Sequence, residues 1–200
     1  LTENQVKLLP LIKSFANDYF LVGGTAIALQ LGHRYSIDFD LFSEKEIDTI
    51  NIKKRIKKFN LEYKTRHSAF DQFHIDITDV RFTFFEYPYN IKAEVWFEKN
   101  CRMPDLLTLS AMKCMALGGR AKWKDYVDLY FILKEKITLK EIIEKASEIY
   151  ENDFNEKLLR QQLAYFKDID YTEQIIFRPK YEAEEDEIKN FLIEAALADF

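Results

Sequence analysis

FLVGGTAIALQLGHRYSIDFDLFS, residues Phe20 to Ser43, is the stretch whose reading decides the fold. Phe20-Leu21-Val22 reads as a short buried strand. Gly23-Gly24 breaks it, because two residues without a Cβ let the backbone turn sharply and approach a ligand closely. Thr25 starts a helix whose good formers run to Leu31, and Gly32 ends it. Backbone N–H groups at such a strand-to-helix turn can cradle phosphate oxygens. A glycine pair alone is more often just a tight turn.

Fourteen residues after Gly24 come two aspartates separated by one residue. Ile37-Asp38-Phe39-Asp40-Leu41-Phe42 alternates apolar and polar residues with the period of a strand. That places Asp38 and Asp40 on one face and turns Ile37, Phe39 and Leu41 into the core. Adjacent carboxylates repel, and cations sharing their charge make the arrangement sensible; Mg²⁺, with its preference for hard oxygen ligands, fits. The alternative is a half-exposed edge strand with solvated acids. His33, Arg34 and Ser36 add three polar groups just upstream.

Together these residues resemble the nucleotidyltransferase superfamily that includes DNA polymerase beta, with Gly-Gly at a helix start and Asp-x-Asp on the next strand. With LSAMKCMALGGRAKWKDYVDLYFIL, residues 109–133, the resemblance narrows to the AbiEii/AbiGii toxin family of nucleotidyltransferases. It spans roughly Phe20 to Lys134 and rests on four separated motifs in order. It implies transfer of a nucleoside monophosphate from a nucleoside triphosphate to a hydroxyl, with release of pyrophosphate. Asp38 and Asp40 are the implied Mg²⁺ ligands. Gly23, Gly24, Thr25, Arg34, Ser36 and Lys113 are the implied nucleotide-binding residues, and Asp38, Asp40, Lys113 and Asp125 the implied catalytic set. His33 matches the motif without an assigned role, and Arg34 either binds phosphate or pins its loop.

On its own terms, Lys113 lies on a helix near 105–117 with Leu109, Ser110, Ala116 and Leu117 as its i±3 and i±4 neighbours. Its stem therefore lies on mostly apolar surface and its ammonium needs a partner. Gly118-Gly119 is expected to interrupt that helix, which leaves Arg120 either near the site or capping helix carbonyls. Asp125 and Asp128 share a helical face, and Asp128 sits among Tyr126, Val127, Leu129 and Ile132. Burying it requires pairing, with Lys124 as the local candidate. The reading assigns Asp125 to function and Asp128 to structure.

One departure stands out. Polymerase-like transferases commonly carry a third carboxylate on a neighbouring strand, and Val80-Arg81-Phe82-Thr83-Phe84-Phe85 offers Thr83 there. A two-residue turn at Thr78-Asp79 would set His74 opposite Thr83 and Asp76 opposite Arg81. Asp76 either substitutes for the acid or pairs with Arg81, and Glu86 would need a bulge to help.

The chain has 200 residues, 48% hydrophobic and 15% aromatic, enough for a substantial core. No apolar run approaches the roughly twenty residues that span a bilayer, and the N-terminal LTENQVKLLPLIKSF reads as an amphipathic helix and not a signal peptide. Cys101 and Cys114 are too few for a disulfide scaffold or a zinc site and suit a reducing cytoplasm. The expected class is α+β. A helix to about Phe15, strand 19–22, helix 25–31, strand 36–42, helix 48–59 and strands near 61–66, 70–77, 80–87 and 91–97 form a nucleotidyltransferase-type mixed sheet flanked by helices, residues 1–103. Helices near 105–117, 122–134, 139–150, 155–166 and 181–198 form a C-terminal helical lobe, residues 104–200. A nucleotide cleft between the lobes would have Asp38 and Asp40 on one wall and Lys113 on the other.

The net charge of −5 argues against bulk nucleic-acid binding. NIKKRIKKF, Asn51 to Phe59, nevertheless turns Ile52, Ile56 and Phe59 inward and Lys53, Lys54, Arg55, Lys57 and Lys58 outward. That face either guides a phosphate backbone or is simply solvated. The acidic run Tyr181 to Ile188 either balances it or binds a basic partner. The resemblance implies RNA, with tRNA included, or a protein as acceptor, and a cognate antitoxin as partner. The rivals are a noncatalytic nucleotide- or RNA-binding module that kept the scaffold, and a small-molecule nucleotidyltransferase.

Overall fold

Local signals in the sequence set many of the element boundaries. Thr2 forms a capping box with Gln5, its hydroxyl accepting from the Gln5 amide at 3.2 Å and the Gln5 side chain accepting from the Thr2 amide at 2.9 Å. The computed structural model describes residues 1–199. Its elements are α1 (Glu3–Phe15), β1 (Phe20–Val22), α2 (Gly23–Leu31), β2 (Phe39–Ser43), α3 (Thr49–Lys58), β3 (Lys64–Ser68), β4 (Gln72–Ile77), β5 (Val80–Glu86), β6 (Val95–Phe97), β7 (Cys101–Met103), α4 (Leu106–Gly119), α5 (Trp123–Glu135), α6 (Leu139–Tyr150), α7 (Glu156–Leu163) and α8 (Glu185–Leu197). The fold is mixed α+β. Two units emerge: an α/β unit, Leu1–Leu29 with Ser36–Asp105, and a helical unit in which Gln30–Tyr35 groups with the residues from 106 onward.

In the α/β unit the sheet order is β1-β2-β5-β4-β3, with β2 and β5 parallel and the other neighbours antiparallel. The β4–β5 hairpin turns on Thr78 and Asp79, both at positive φ as a two-residue turn of this hand requires. It sets His74 opposite Thr83 and Asp76 opposite Arg81, as the sequence predicts. Phe39 and Leu41 of β2, Phe82 and Phe84 of β5, and Phe73 and Ile75 of β4 are buried on one face. Helix α1 packs there through Phe15, edge-on to Phe84 at 5.1 Å.

The prediction for β2 needs correction. The strand begins at Phe39, so Asp38 precedes it, and Ile37 is 56% exposed and not in the core. In α3, Ile52 and Ile56 are buried as expected, whereas Phe59, just past the helix end, is 40% exposed. Two of the five basic residues there have partners: Arg55 bonds Asp18 and the Ser14 carbonyl, and Lys53 lies over the Phe73 ring. The β7 strand, which pairs with β6, carries too short an alternation to be read from sequence.

In the helical unit α5 is buried at every position from Asp125 to Ile132, which makes it the unit's central helix. Helices α6, α7 and α8 bury stripes at helical spacing, Ile142, Ile143 and Ala146, Leu159 and Leu163, and Ile188, Leu192 and Ala196. Inside this core lies an ionic cluster. Asp128 Oδ1 accepts from His33 Nε2 and Arg34 Nε, both at 2.7 Å. Oδ2 accepts from Arg34 Nη2 at 2.9 Å and lies 2.9 Å from Lys113 Nζ. Lys113 also donates to Asp125 at 2.7 Å, and Arg120 Nε reaches the other Asp125 oxygen at 3.3 Å. The predicted Lys124–Asp128 pair is replaced: Lys124 and Lys122 both hold Glu173. Gly118-Gly119 does not interrupt α4, which runs through Gly119 and leaves Arg120 just beyond its end.

Burial works against the Asp128 charge, but Arg34 and Lys113 outweigh it and hold the carboxyl well below its ordinary range. Burial would likewise neutralise Lys113, yet Asp125 and Asp128 hold its ammonium above its ordinary value. A depressed carboxyl stabilises the fold above its unfolded-chain value of 3.8 and loses that contribution as pH falls through the folded value. The raised ammonium contributes below its unfolded-chain value of 10.5 and loses the contribution as pH rises through the folded one. Asp128→Asn leaves cations in the core undercompensated and is expected to cost about 3–5 kcal/mol near neutral pH. Urea unfolding of both proteins from pH 7 down to pH 3 checks this, the difference between them shrinking below about pH 4.

Candidate functional site

At the β1–α2 junction the chain turns without a loop residue. Gly23 has φ of +68°, and a Cβ on it would lie 2.2 Å from Asp40 Oδ2 and 3.1 Å from Asp40 Cγ. Any side chain there would displace the Asp40 carboxylate. The approach follows from register, since Val22 pairs directly with Asp40 across β1 and β2. The carboxylate therefore sits against the first turn of α2, where unpaired backbone N–H groups carry partial positive charge. Gly24 occupies the same first turn.

Thr25 is buried, and its hydroxyl hydrogen bonds the Asp38 carbonyl and the Ser36 hydroxyl, the latter at 2.9 Å. A carbonyl only accepts, so Thr25 donates to Asp38 and Ser36 donates to Thr25. The hydroxyls expected to meet phosphate thus fasten residues 36–38 to the start of α2, immediately before Asp40.

On β5, Thr83 lies beside Asp40 in the parallel register, and His74 of β4 follows Thr83 in the same row. Asp76 does not stand in for the missing acid, because Arg66 binds it and Arg81 lies 4.0 Å away. Nor does Glu86: β2 and β5 pair without a bulge through Ser43 and Glu86, which leaves it on the core-facing parity. Its Oε2 is buried without a hydrogen-bond partner among the described residues.

In the helical unit, the structure brings Lys113, Asp125, Arg34 and His33 together around Asp128. Lys113 is 5% exposed and directs its ammonium at two carboxylates. Asp125 is fully buried under Lys113 and Arg120, an arrangement that orients the lysine and does not present the carboxylate as a base. Arg34 bonds Asp128 and the Tyr35 carbonyl, the latter at 3.0 Å, contacts that hold its loop. Asp128, read from sequence as structural, is the centre of the cluster. Nothing within a few residues of it names His33 or Arg34 as partners.

Asp40, with Asp38 two residues before it, is the site's hard oxygen donor for a cation. Among the described residues no group of three or more His, Cys, Asp or Glu forms a closed metal cage. Mg²⁺ characteristically takes one or two carboxylates and completes its shell with water and substrate phosphates, so the pair fits that ion in company with a triphosphate.

Comparison with known proteins agrees with these features. Residues 11–99 match the family described as "Nucleotidyl transferase AbiEii toxin, Type IV TA system". An uncharacterized protein of Aquifex aeolicus is 32% identical over 160 residues, covering 76% of this chain and 75% of its own length. MenT4, a nucleotidyltransferase toxin of Mycobacterium tuberculosis, shares the fold with a TM-score of 0.63 at 13% identity, over 96% of this chain and 81% of that one. JHP933 of Helicobacter pylori does so at 0.58 and 19% identity, over 98% and 91%. The antibiotic-resistance factor ANT(2'')-Ia gives 0.54 at 14% identity, over 74% and 92%. With Gly23 set against Asp40 on the sheet, the chain belongs to the AbiEii toxin family of nucleotidyltransferases.

Proposed function

We propose that this nucleotidyltransferase moves a nucleoside monophosphate from a nucleoside triphosphate to a hydroxyl of RNA, as the Mg²⁺-dependent toxin of a toxin–antitoxin pair. The observation that carries the reading is the Asp40 carboxylate packed against Gly23 at the start of α2. A carboxylate held by register on a sheet, beside backbone N–H groups that favour phosphate, is a preorganised site for a triphosphate and its cation. Asp38 and Asp40 would hold Mg²⁺, which when bound offsets phosphate charge and stabilises the entering and leaving oxygens.

The residues of the chain then have distinct tasks. The backbone of Gly23, Gly24 and Thr25 donates to phosphate oxygens, and the Thr25 and Ser36 hydroxyls hold Asp38 in place. Lys113 is oriented by Asp125 and Asp128, which take two of its three ammonium donors. The acceptor oxygen bonds to the α-phosphorus as the bond to the bridging oxygen breaks, and pyrophosphate leaves in line. RNA is favoured by Lys54, Lys57 and Lys58, exposed on α3 alongside Lys53 and Arg55 of the same helix. Cytoplasmic action with a cognate antitoxin follows the family description and two buried free thiols, Cys101 and Cys114. No helix among the described residues is long and apolar enough to cross a membrane.

Thr83, in place of a third carboxylate, favours a second reading, a binding module without catalysis. The two separate by incubating the protein with each α-labelled triphosphate, Mg²⁺ and total bacterial RNA. Label on RNA supports transfer; triphosphate binding without label or pyrophosphate release supports the module.

Asp38→Ala and Asp40→Ala are each expected to lower transfer by at least about 10²-fold while far-UV circular dichroism is unchanged. Equal rates in either variant would remove the assigned metal role. Gly23→Ala tests the packing itself: the added methyl pushes Asp40 aside, and a misplacement near 1 Å is expected to reduce the rate about 10²-fold. An unaltered rate in Gly23→Ala would show that Asp40 need not sit where it does.

A further inference from the structure

The sheet face that carries Asp40 also carries a histidine that the family resemblance does not account for. Across the strands the register runs Val22, Asp40, Thr83, His74, His67. Adjacent strands lie about 4.8 Å apart, so the Asp40 and His74 backbones are about 10 Å apart with Thr83 between them. Among the described residues no hydrogen bond or ion pair joins His74 to Asp40. Threonine is the shortest of the three side chains, and it stands in the row between a carboxylate and an imidazole.

The neighbours of His74 fix its chemistry. Nε2 lies 2.9 Å from Gln72 Oε1, and in the tautomer that donates Nε2–H to this oxygen Nδ1 keeps its lone pair. His67 of β3 stands edge-on, with ring centroids 5.5 Å apart. The charged groups bearing on the ring are His67, Asp40 of β2, Arg81 of β5, and Asp71 just before β4. Asp76, further along β4, is occupied by Arg66. Burial, then His67, lower the His74 pKa below its ordinary 6.5, with Arg81 assisting and Asp40 and Asp71 opposing. The neutral, proton-accepting form therefore prevails at neutral pH.

We propose that His74 accepts the proton of the attacking hydroxyl in nucleotidyl transfer, from a position one strand beyond the threonine that replaces the third carboxylate. This rests on the reading of Asp40 as a metal ligand of the same site. As the acceptor oxygen bonds to the α-phosphorus, its proton passes to His74 Nδ1. The bond to the bridging oxygen breaks with its electron pair leaving on pyrophosphate, and the half-buried imidazolium returns the proton to solvent. Asp125 is not a competitor for this task, because Lys113 and Arg120 hold it at full burial.

The test compares wild type, His74→Gln, His74→Asn and Asp40→Asn in transfer from α-labelled triphosphates to total bacterial RNA. kcat/KM for the triphosphate is followed from pH 5 to 9, alongside triphosphate affinity and thermal midpoint. The expected result is a wild-type rate that falls as pH drops through a value below 6.5, because protonation removes the base. Both His74 variants are expected to lose about 10²–10⁴-fold and that acid limb, with affinity within about twofold of wild type. Full activity, or an unchanged acid limb, in a folded His74 variant would overturn the inference alone, provided Asp40→Asn is inactive. An active Asp40→Asn would overturn the metal reading, and absence of transfer by wild type would overturn both.

Discussion

Four hydrogen-bond donors converge on the two oxygens of Asp128, and much of the helical unit is arranged around that convergence. A carboxylate at full burial is tolerable only when its lone pairs are satisfied by hydrogen bonds and countercharges. Here His33 and Arg34 come from the segment before β2, and Lys113 comes from α4. The segment is also stitched in by its backbone: Tyr35 donates to the Ile176 carbonyl at 2.9 Å and Arg178 donates to the His33 carbonyl at 3.0 Å. Gln30–Tyr35 therefore belongs to the helical unit although it lies between α2 and β2. Two cations and two carboxylates, Arg34 and Lys113 against Asp125 and Asp128, balance the core charge. That balance limits what Lys113 can do, because carrying its ammonium away to a ligand would leave Asp125 with only the half-exposed Arg120. The lysine is a fixed donor, set by its partners before any ligand arrives.

The α/β unit has a constraint of a different kind. Strand register places Asp40 beside Val22, the next residue must turn into a helix at positive φ, and the carboxylate then occupies the volume a Cβ would need. Sterics, and not charge, dictate glycine there. The result is an acid seated in the space a Cβ would fill, with Thr25 gripping the Asp38 carbonyl two residues before it. Preorganisation of this sort belongs to backbone geometry and should survive changes in surface charge.

These two constraints explain what could be read from sequence. Features closed within a few residues were legible: the Gly-Gly break, the hairpin register at Thr78-Asp79, and the burial of Ile52 and Ile56 on α3. The start of β2 was not. Alternation from Ile37 to Leu41 looks like uninterrupted strand, but the Tyr35 amide and the Asp38 carbonyl spend their hydrogen bonds on Ile176 and Thr25. Pairing begins only at Phe39, and Ile37 is left in solvent. The role of Asp128 was equally hidden, since Lys124 offers a plausible partner at i−4 while its actual partners are 94 and 95 residues away. Local pattern proposes the nearest countercharge, whereas burial selects whichever donors the fold brings together.

Thr83 and His74 make sense as a pair for an electrostatic reason. A carboxylate at position 83 would stand between Asp40 and His74 and add a second negative charge to that row of the sheet. It would raise the imidazole's proton affinity and favour imidazolium at neutral pH. A neutral threonine leaves burial and His67 as the leading influences on His74, and both favour the uncharged ring. Losing the acid at 83 and keeping a neutral histidine at 74 are thus two consequences of one charge distribution. The row keeps a single carboxylate beside α2, where helix N–H groups compensate it, and a lone-pair donor two strands away, where they do not.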